Sequence, residues 1–252
     1  MGKYDDFGNF NSQYIIEGEL NLGSAMNIGG AETTGDTDNP LAKLIINQKE
    51  VPYIPGSSIK GVLRTEIERI LRSTNNVVCE PPNTCDPDNQ NKSFSDYCVV
   101  CGIFGGMGLA SHVRIQDSTP LSDNVITGKK PGVGINRTLG IAQKGALYDM
   151  EIIHPEQLFK FKMIIENIEL IDEKDTLSNE DTRSKAIFYL LVRLMAGHIN
   201  IGKKSSSGLG NVKLQGVNVT KIWFSEDADD FLEQKTYKVS LKDLSLNVEV
   251  IN

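Results

Sequence analysis

All four cysteines of the chain, Cys79, Cys85, Cys98 and Cys101, fall in one short stretch. Cys98-Val-Val-Cys101 is the tight knuckle that brings two thiolates to one tetrahedral ion. Cys79 and Cys85 are more widely spaced, across two prolines and an asparagine. The segment between the pairs, from Asp86 to Lys92, is polar and has nothing from which to build a core, so an ion has to hold it together. The set reads as a structural zinc site with all four thiolates as ligands. Four thiolates leave no open position for water, which excludes a catalytic zinc. The bland alternative is four unrelated reduced thiols. A disulfide framework does not fit the cytoplasmic location expected for this chain.

Two glycine-serine turns suit a different chemistry. Gly56-Ser57-Ser58-Ile59-Lys60-Gly61 places backbone N–H groups at a helix start with a lysine one turn in, a geometry that attracts phosphate. The P-loop spacing is absent. Ser205-Ser206-Ser207-Gly208-Leu209-Gly210 lets a sugar-phosphate backbone approach closely. Ordinary turn chemistry is the competing account of each.

Basic charge gathers around these turns. Residues 129–145 carry Lys129, Lys130, Arg137 and Lys144 and no acid; residues 197–221 carry Lys203, Lys204, Lys213 and Lys221 and no acid. With Lys60, Arg64 and Arg72 they could line one RNA groove, although solvated loops also carry lysines. His112, His154 and His198 read as structural or solvated. Tyr53, Phe104, Tyr148 and Trp223 read as packing groups.

The elements that must position these residues follow from periodicity. Tyr14–Leu22 is a strand by its alternation and β-branched pair. Residues 23–40 are loop-like, and 44–54 form a short hairpin or two extended pieces. Ile59, Val62, Leu63, Ile67, Ile70 and Leu71 share one helical face, with Ser57 or Ser58 as cap and Lys60, Arg64, Glu68 and Arg72 on the other face. Ala110–Asp117, Ala146–Ile153 and Phe159–Leu170 read as strands. Ser178 opens a second helix, with Asp181 as its capping-box partner and Gly197 as its stop. A further strand runs to about Val219. The order β-α-β-β-α-β makes this an α+β chain of the ferredoxin-like or RRM-like kind, an antiparallel sheet with two helices on one face. An RRM-like sheet with basic loops is a frequent RNA-binding combination.

Composition bounds the answer. Lys plus Arg is 26 and Asp plus Glu 33, a net charge of −7, with 39% hydrophobic and 23% charged residues. Collagen-like and wholly disordered chains are excluded. No apolar run reaches a membrane span, and the polar start is unlike a signal peptide. The net acidity requires any nucleic-acid contact to use local basic surface.

At this point the residues resemble a family. Tyr53-Ile-Pro-Gly-Ser-Ser-Ile-Lys-Gly-Val-Leu-Arg64 is similar to the signature of the RAMP superfamily of CRISPR-associated proteins. Gly29-Gly30 followed by Asp38-Asn-Pro-Leu41 resembles the glycine-bearing loop and aspartate of its type III backbone subunits. Ile103-Phe-Gly105 resembles the next block, Gly134–Gly140 the segment inside the protruding thumb, and Gly202–Val212 the C-terminal glycine-rich loop. Asn136 and Ser207 depart from the aspartate and arginine common in relatives.

The resemblance implies a single modified RRM-like domain over 1–252, with a cysteine-rich zinc insertion at 77–104 and a thumb at 119–145; by its charge, 222–252 reads as an acidic tail. It implies a subunit that polymerises along CRISPR RNA, beside other effector subunits and copies or paralogues of itself, and cleaves complementary target RNA at regular intervals. Asp38 is then the catalytic candidate, with Asp36 as runner-up and Glu32 more remote, and Mg2+ or another divalent ion supports cleavage. An Asx-turn before Pro40 is the structural alternative for Asp38. Gly56, Ser57, Ser58, Lys60, Arg64, Lys129, Lys130, Arg137, Lys203, Lys204, Ser205, Ser206, Gly208 and Gly210 would bind RNA. The alternatives are a non-cutting structural paralogue and a stand-alone repeat-processing endoribonuclease.

Overall fold

The computed structural model describes residues 4, 7–30, 37–74, 76–86, 96–178, 181–224, 232–242 and 245–251. In chain order the elements are β1 (Ser12–Leu22), β2 (Lys43–Ile46), β3 (Lys49–Pro52), α1 (Gly56–Ser73), α2 (Cys101–Phe104), β4 (Val113–Ile115), β5 (Thr127–Asn136), β6 (Ile141–Ile153), β7 (Leu158–Glu166), α3 (Thr182–Met195), β8 (Ile199–Asn200), a 3-10 turn (Ser205–Ser207), β9 (Asn211–Phe224), β10 (Leu232–Lys242) and β11 (Ser245–Ile251).

Among the described residues one sheet runs in the order β11-β10-β9-β1-β7-β4, with β8 on β9. Its centre, β9-β1-β7-β4, is the 4-1-3-2 order of a ferredoxin-like β-α-β-β-α-β unit, and every pairing within it is antiparallel. Alternation sets its faces. Tyr14, Ile16, Leu20 and Leu22 of β1 and Phe159, Phe161, Met163 and Ile165 of β7 point into the core. Outward, Glu17 faces Lys162, with a 2.9 Å ion pair, and Glu19 faces Lys160. The apolar faces of α1 (Ile59, Leu63, Ile67) and α3 (Ile187, Leu191, Leu194) close the same core.

Several local expectations shift. Helix α1 begins at Gly56, and neither Ser57 nor Ser58 caps it. The Gly56 N–H instead donates to Asp117 Oδ1 at 2.8 Å, so the cap arrives from the far side of β4. A side chain at 56 would strike the Ile115 carbonyl at 2.2 Å, so the close approach demands glycine. Helix α3 is capped by Asp181 itself, which accepts from the Arg183 N–H at 2.7 Å, and not by Ser178. The strand expected over 110–117 is confined to β4. From 222 onward the chain carries on as sheet: β9 extends to Phe224, and β10 and β11 add two strands, with Tyr237 and Val239 buried. The β5–β6 hairpin forms a two-stranded sheet of its own. No helix among the described residues is long and apolar enough to cross a membrane.

Candidate functional site

Three segments distant in sequence meet at the base of the β5–β6 hairpin. Residues 37–41 lie against β6: the Glu151 N–H donates to the Asn39 carbonyl at 3.1 Å, and the Leu41 N–H donates to Glu151 Oε2 at 2.9 Å. Buried Asn27 bridges both, its Nδ2 donating to the carbonyls of Asn39 (3.1 Å) and Glu151 (2.6 Å). The glycine-rich loop after β8 joins from the other side. Its Lys203 N–H donates to the Asn27 carbonyl and its Gly210 N–H to the Ala25 carbonyl, both at 2.8 Å. Gly210 has φ of +79°, and a Cβ there would lie 2.0 Å from the Ile201 carbonyl oxygen, so no other residue fits. Leu209 packs on Met150 and Ile152 beneath.

Asp38 is exposed at this junction. Its Oδ2 accepts from the Asp149 N–H at 3.1 Å, and among the described residues its Oδ1 has no partner. The bond is not the local Asx-turn of the structural alternative, because the donor lies across the fold. Two lysines contact its chain neighbours and not Asp38 itself. Lys203 Nζ donates to Asn39 Oδ1 at 3.1 Å, and Lys204 Nζ lies 4.9 Å from the centre of the Tyr148 ring. The site is thus an open carboxylate on a fixed backbone, with one lysine held on the next residue, Asn39, and another over Tyr148, the residue before Asp149. Ser205, Ser206 and Gly208 are exposed on the 3-10 turn next to Lys204. Asp36 and Glu32 lie outside the described residues.

The α1 signature divides. Ser57, Ser58 and Gly61 share an open hollow of about 480 Å3 with Gly202, at the start of the C-terminal glycine-rich loop, while the Ser205–Gly210 turn is not part of its lining. Glu66 and Arg69 line the same hollow. Lys60 Nζ donates to Ser111 Oγ at 2.7 Å, and burial, with the Arg64 charge beside it, lowers its pKa from the ordinary value. Arg64 turns away altogether. It donates to Glu68 Oε1 (2.9 Å), the Gly105 carbonyl (2.8 Å) and Cys101 Sγ (3.6 Å). Arg72 follows, with Nη2 on the Cys79 carbonyl at 3.0 Å. The charged stripe read as an RNA-facing groove wall is therefore engaged by the cysteine segment: Arg64 is largely covered, while Arg72 reaches the Cys79 carbonyl and stays exposed.

The four cysteines are buried and their sulfurs lie within 4.8 Å of one another. Cys79 Sγ is 3.3 Å from Cys101 Sγ and 3.7 Å from Cys98 Sγ. A tetrahedral site with metal–sulfur bonds of about 2.3 Å needs sulfur–sulfur edges of about 3.8 Å, so the set could hold a metal ion with little adjustment. Thiols this close oppose one another's ionisation. Hydrogen bonding with the neighbouring sulfurs, Cys101 first, holds Cys98 far below the usual thiol value, while burial pushes Cys85 up to about 12. Only a cation in their midst lets all four ionise.

Lys129 and Lys130 lie near the base of the hairpin, opposite Glu151 and Met150. Arg137 is in the turn at its tip, roughly 25 Å from Lys129 along the strand, and is not brought to Asp38 of the same chain. Asn136 Oδ1 accepts from the Thr138 and Leu139 N–H groups at 3.0 and 3.1 Å and braces that turn. Exposed Val133, Ile135, Leu139, Ile141 and Leu147 make the outer hairpin apolar. Sequence reasoning missed Asn27, Asn39, Asp149 and Glu151. Nothing in their spacing marks them, because they act through backbone groups far along the chain.

Comparison with known proteins fits this geometry. The family profile of the RAMP superfamily matches residues 19–213. A CRISPR system Cms endoribonuclease Csm3 of Methanocaldococcus jannaschii is 26% identical over 225 residues, 81% of this chain and 79% of that protein. A protein of the same description from Methanothermobacter thermautotrophicus is 32% identical over 99 residues, 38% of this chain and only 34% of its own length. A chain in the cryo-EM structure of the Type III-B Cmr-beta bound to cognate target RNA superposes with a TM-score of 0.52 at 17% identity, covering 82% of this chain and 61% of that one, which supports the fold. With the 4-1-3-2 sheet and the profile spanning strand β1 to strand β9, the chain belongs to the RAMP superfamily.

Proposed function

We propose that this chain is a backbone subunit of a type III CRISPR interference complex, working in the cytoplasm, that binds CRISPR RNA and cleaves complementary target RNA at regular intervals. The observation that carries this reading is the Asp38 carboxylate, fixed through Oδ2 by the Asp149 N–H and open at Oδ1, on a junction where Lys203 holds Asn39 and Lys204 lies over Tyr148.

The chemistry is attack of a target ribose 2′-OH on its own adjacent phosphorus. The bond to the 5′ oxygen of the next nucleotide breaks, leaving a 2′,3′-cyclic phosphate and a 5′-hydroxyl. Asp38 would take the 2′-OH proton or help hold a hydrated divalent ion, and the departing 5′ oxygen takes its proton from solvent. When bound, such an ion supplies charge neutralisation at the phosphate oxygens. Lys203 and Lys204 hold the strand electrostatically, and Lys60, Ser57, Ser58 and the 205–210 turn track the guide backbone. One carboxylate does little unless the nucleotide is splayed into line, so positioning dominates. The hairpin provides it between neighbours: its tip is too far from Asp38 of its own chain, and its exposed apolar side chains suit burial against another copy. The cysteine set holds a structural zinc that anchors the insertion on α1. The endoribonuclease description of two relatives supports the assignment of activity.

The test uses the complex assembled on guide RNA, given Mg2+ and a target with a single 2′-deoxy nucleotide at one cleaved position. That cut alone should vanish, and the remaining products should end in 2′,3′-cyclic phosphate. A cut that persists at the deoxy position would overturn the mechanism.

A further inference from the structure

Helix α1 presents Arg64, Glu68 and Arg72 in one column, four residues apart, to the cysteine segment. Glu68 is 5% exposed and lies between the two guanidinium groups, 2.9 Å from Arg64 Nε and 3.8 Å from Arg72 Nη2. A carboxylate this buried is costly unless paired, and here its pairing fixes the plane of the Arg64 guanidinium. That plane aims Nη1 at the Gly105 carbonyl and Nη2 at Cys101 Sγ. Gly105 directly follows α2, the helix that Cys101 opens, so both contacts grip the same knuckle.

We propose that Arg64 is a positioning residue of the cysteine metal centre: its Nη2–H donates to the Cys101 thiolate and offsets charge on the filled site. Four thiolates around a dication leave a net charge of about −2 in a buried pocket. A cation hydrogen-bonded to one ligand sulfur lowers the cost of holding that charge and fixes the orientation of the ligand. Only a guanidinium can reach Glu68, the Gly105 carbonyl and the sulfur together; an ammonium is a point charge and cannot. The inference rests on reading the cysteine set as a metal site. It also removes Arg64 from the guide contacts, because the side chain is committed to the centre.

The test uses the purified full chain and zinc alone, with a chromophoric chelator as competitor. Wild type should hold one zinc per chain; no zinc would sink the metal reading itself. Given that zinc, Arg64→Met should weaken its binding about 10- to 100-fold. Arg64→Lys should fall between, and Arg69→Met, a mostly exposed neighbour paired with Glu66, should match wild type. With cobalt in place of zinc, Arg64→Met should shift the thiolate-to-metal charge-transfer band, which a purely packing role would leave alone. If Arg64→Met does not fold, the Arg64→Lys affinity and spectrum decide the matter. Unchanged affinity and spectrum, or a loss of guide-RNA binding with zinc affinity intact, would overturn the proposal.

Discussion

The start of α1 allows a prediction with two readouts of opposite sign. Asp117 accepts from the Gly56 N–H at 2.8 Å and is the side chain that caps this helix. Asp117→Ala removes both the acceptor and a negative charge at the positive end of the helix dipole. Losing such a cap costs about 1 kcal/mol, with about 2 as an upper bound. Asp117→Asn keeps an acceptor and loses only the charge, about 0.3–1 kcal/mol. For a chain of this size 1 kcal/mol lowers Tm by about 2–4 °C. Urea unfolding followed by circular dichroism should place Asn between wild type and Ala, with an unchanged denaturant slope. Guide-RNA affinity should move the other way or hold steady, because a carboxylate on the Gly56 N–H opposes a phosphate at the same helix end. Wild-type stability in Asp117→Ala would refute the capping role. Loss of guide binding in the still-folded Asn variant would show that Asp117 supports the RNA contact instead of competing with it.

Two further outcomes follow from buried groups. His112 is 1% exposed, packs at a tilt against the Phe7 ring, and has its pKa lowered to about 4 by burial and by the Arg183 charge. The fold therefore favours neutral imidazole, and the unfolded chain binds the proton more readily. The His112 contribution to stability should be constant above about pH 6.5 and fall by about 3 kcal/mol as pH drops from 6.5 to 4; urea midpoints at pH 7, 5 and 4, compared with His112→Phe, isolate it. Removing metal from the cysteine centre should lower the unfolding free energy by about 4 kcal/mol relative to a thousandfold excess of free zinc over its Kd. Thermal scans with and without a strong chelator read this directly, and a Cys98→Ser variant should be insensitive to the chelator.

The core unit was legible because its signals are local. The period-2 alternation of Phe159, Phe161, Met163 and Ile165 and the helical spacing of Ile59, Leu63 and Ile67 each name a face from a few residues. The element order then leaves few antiparallel arrangements. The closeness of the four cysteines was legible for the same reason, all being near neighbours in the chain. What covers the other face of α1 was not. Arg64, Glu68 and Arg72 sit where a solvated or RNA-facing stripe would, and only the docking of a distant segment turns them toward the cysteines. The Asp38 setting was hidden likewise, since the backbone group that fixes it is 111 residues away. The α1 cap was misplaced because Ser57 and Ser58 are good local caps, yet a carboxylate 61 residues on takes the bond. The stretch from 222 was read by its charge, and its buried Tyr237 and Val239 show that strand alternation was present beneath the acidic residues.

The most direct measurement is target cleavage by the guide-loaded complex in Mg2+, with every copy of this subunit carrying either Asp38 or Asp38→Ala. The substitution leaves the Asp149 backbone in place and alters neither Lys203 nor Lys204. Loss of the regularly spaced fragments, with guide and target binding intact, is the expected result. An unchanged fragment ladder would contradict the assignment of cleavage to this chain's Asp38.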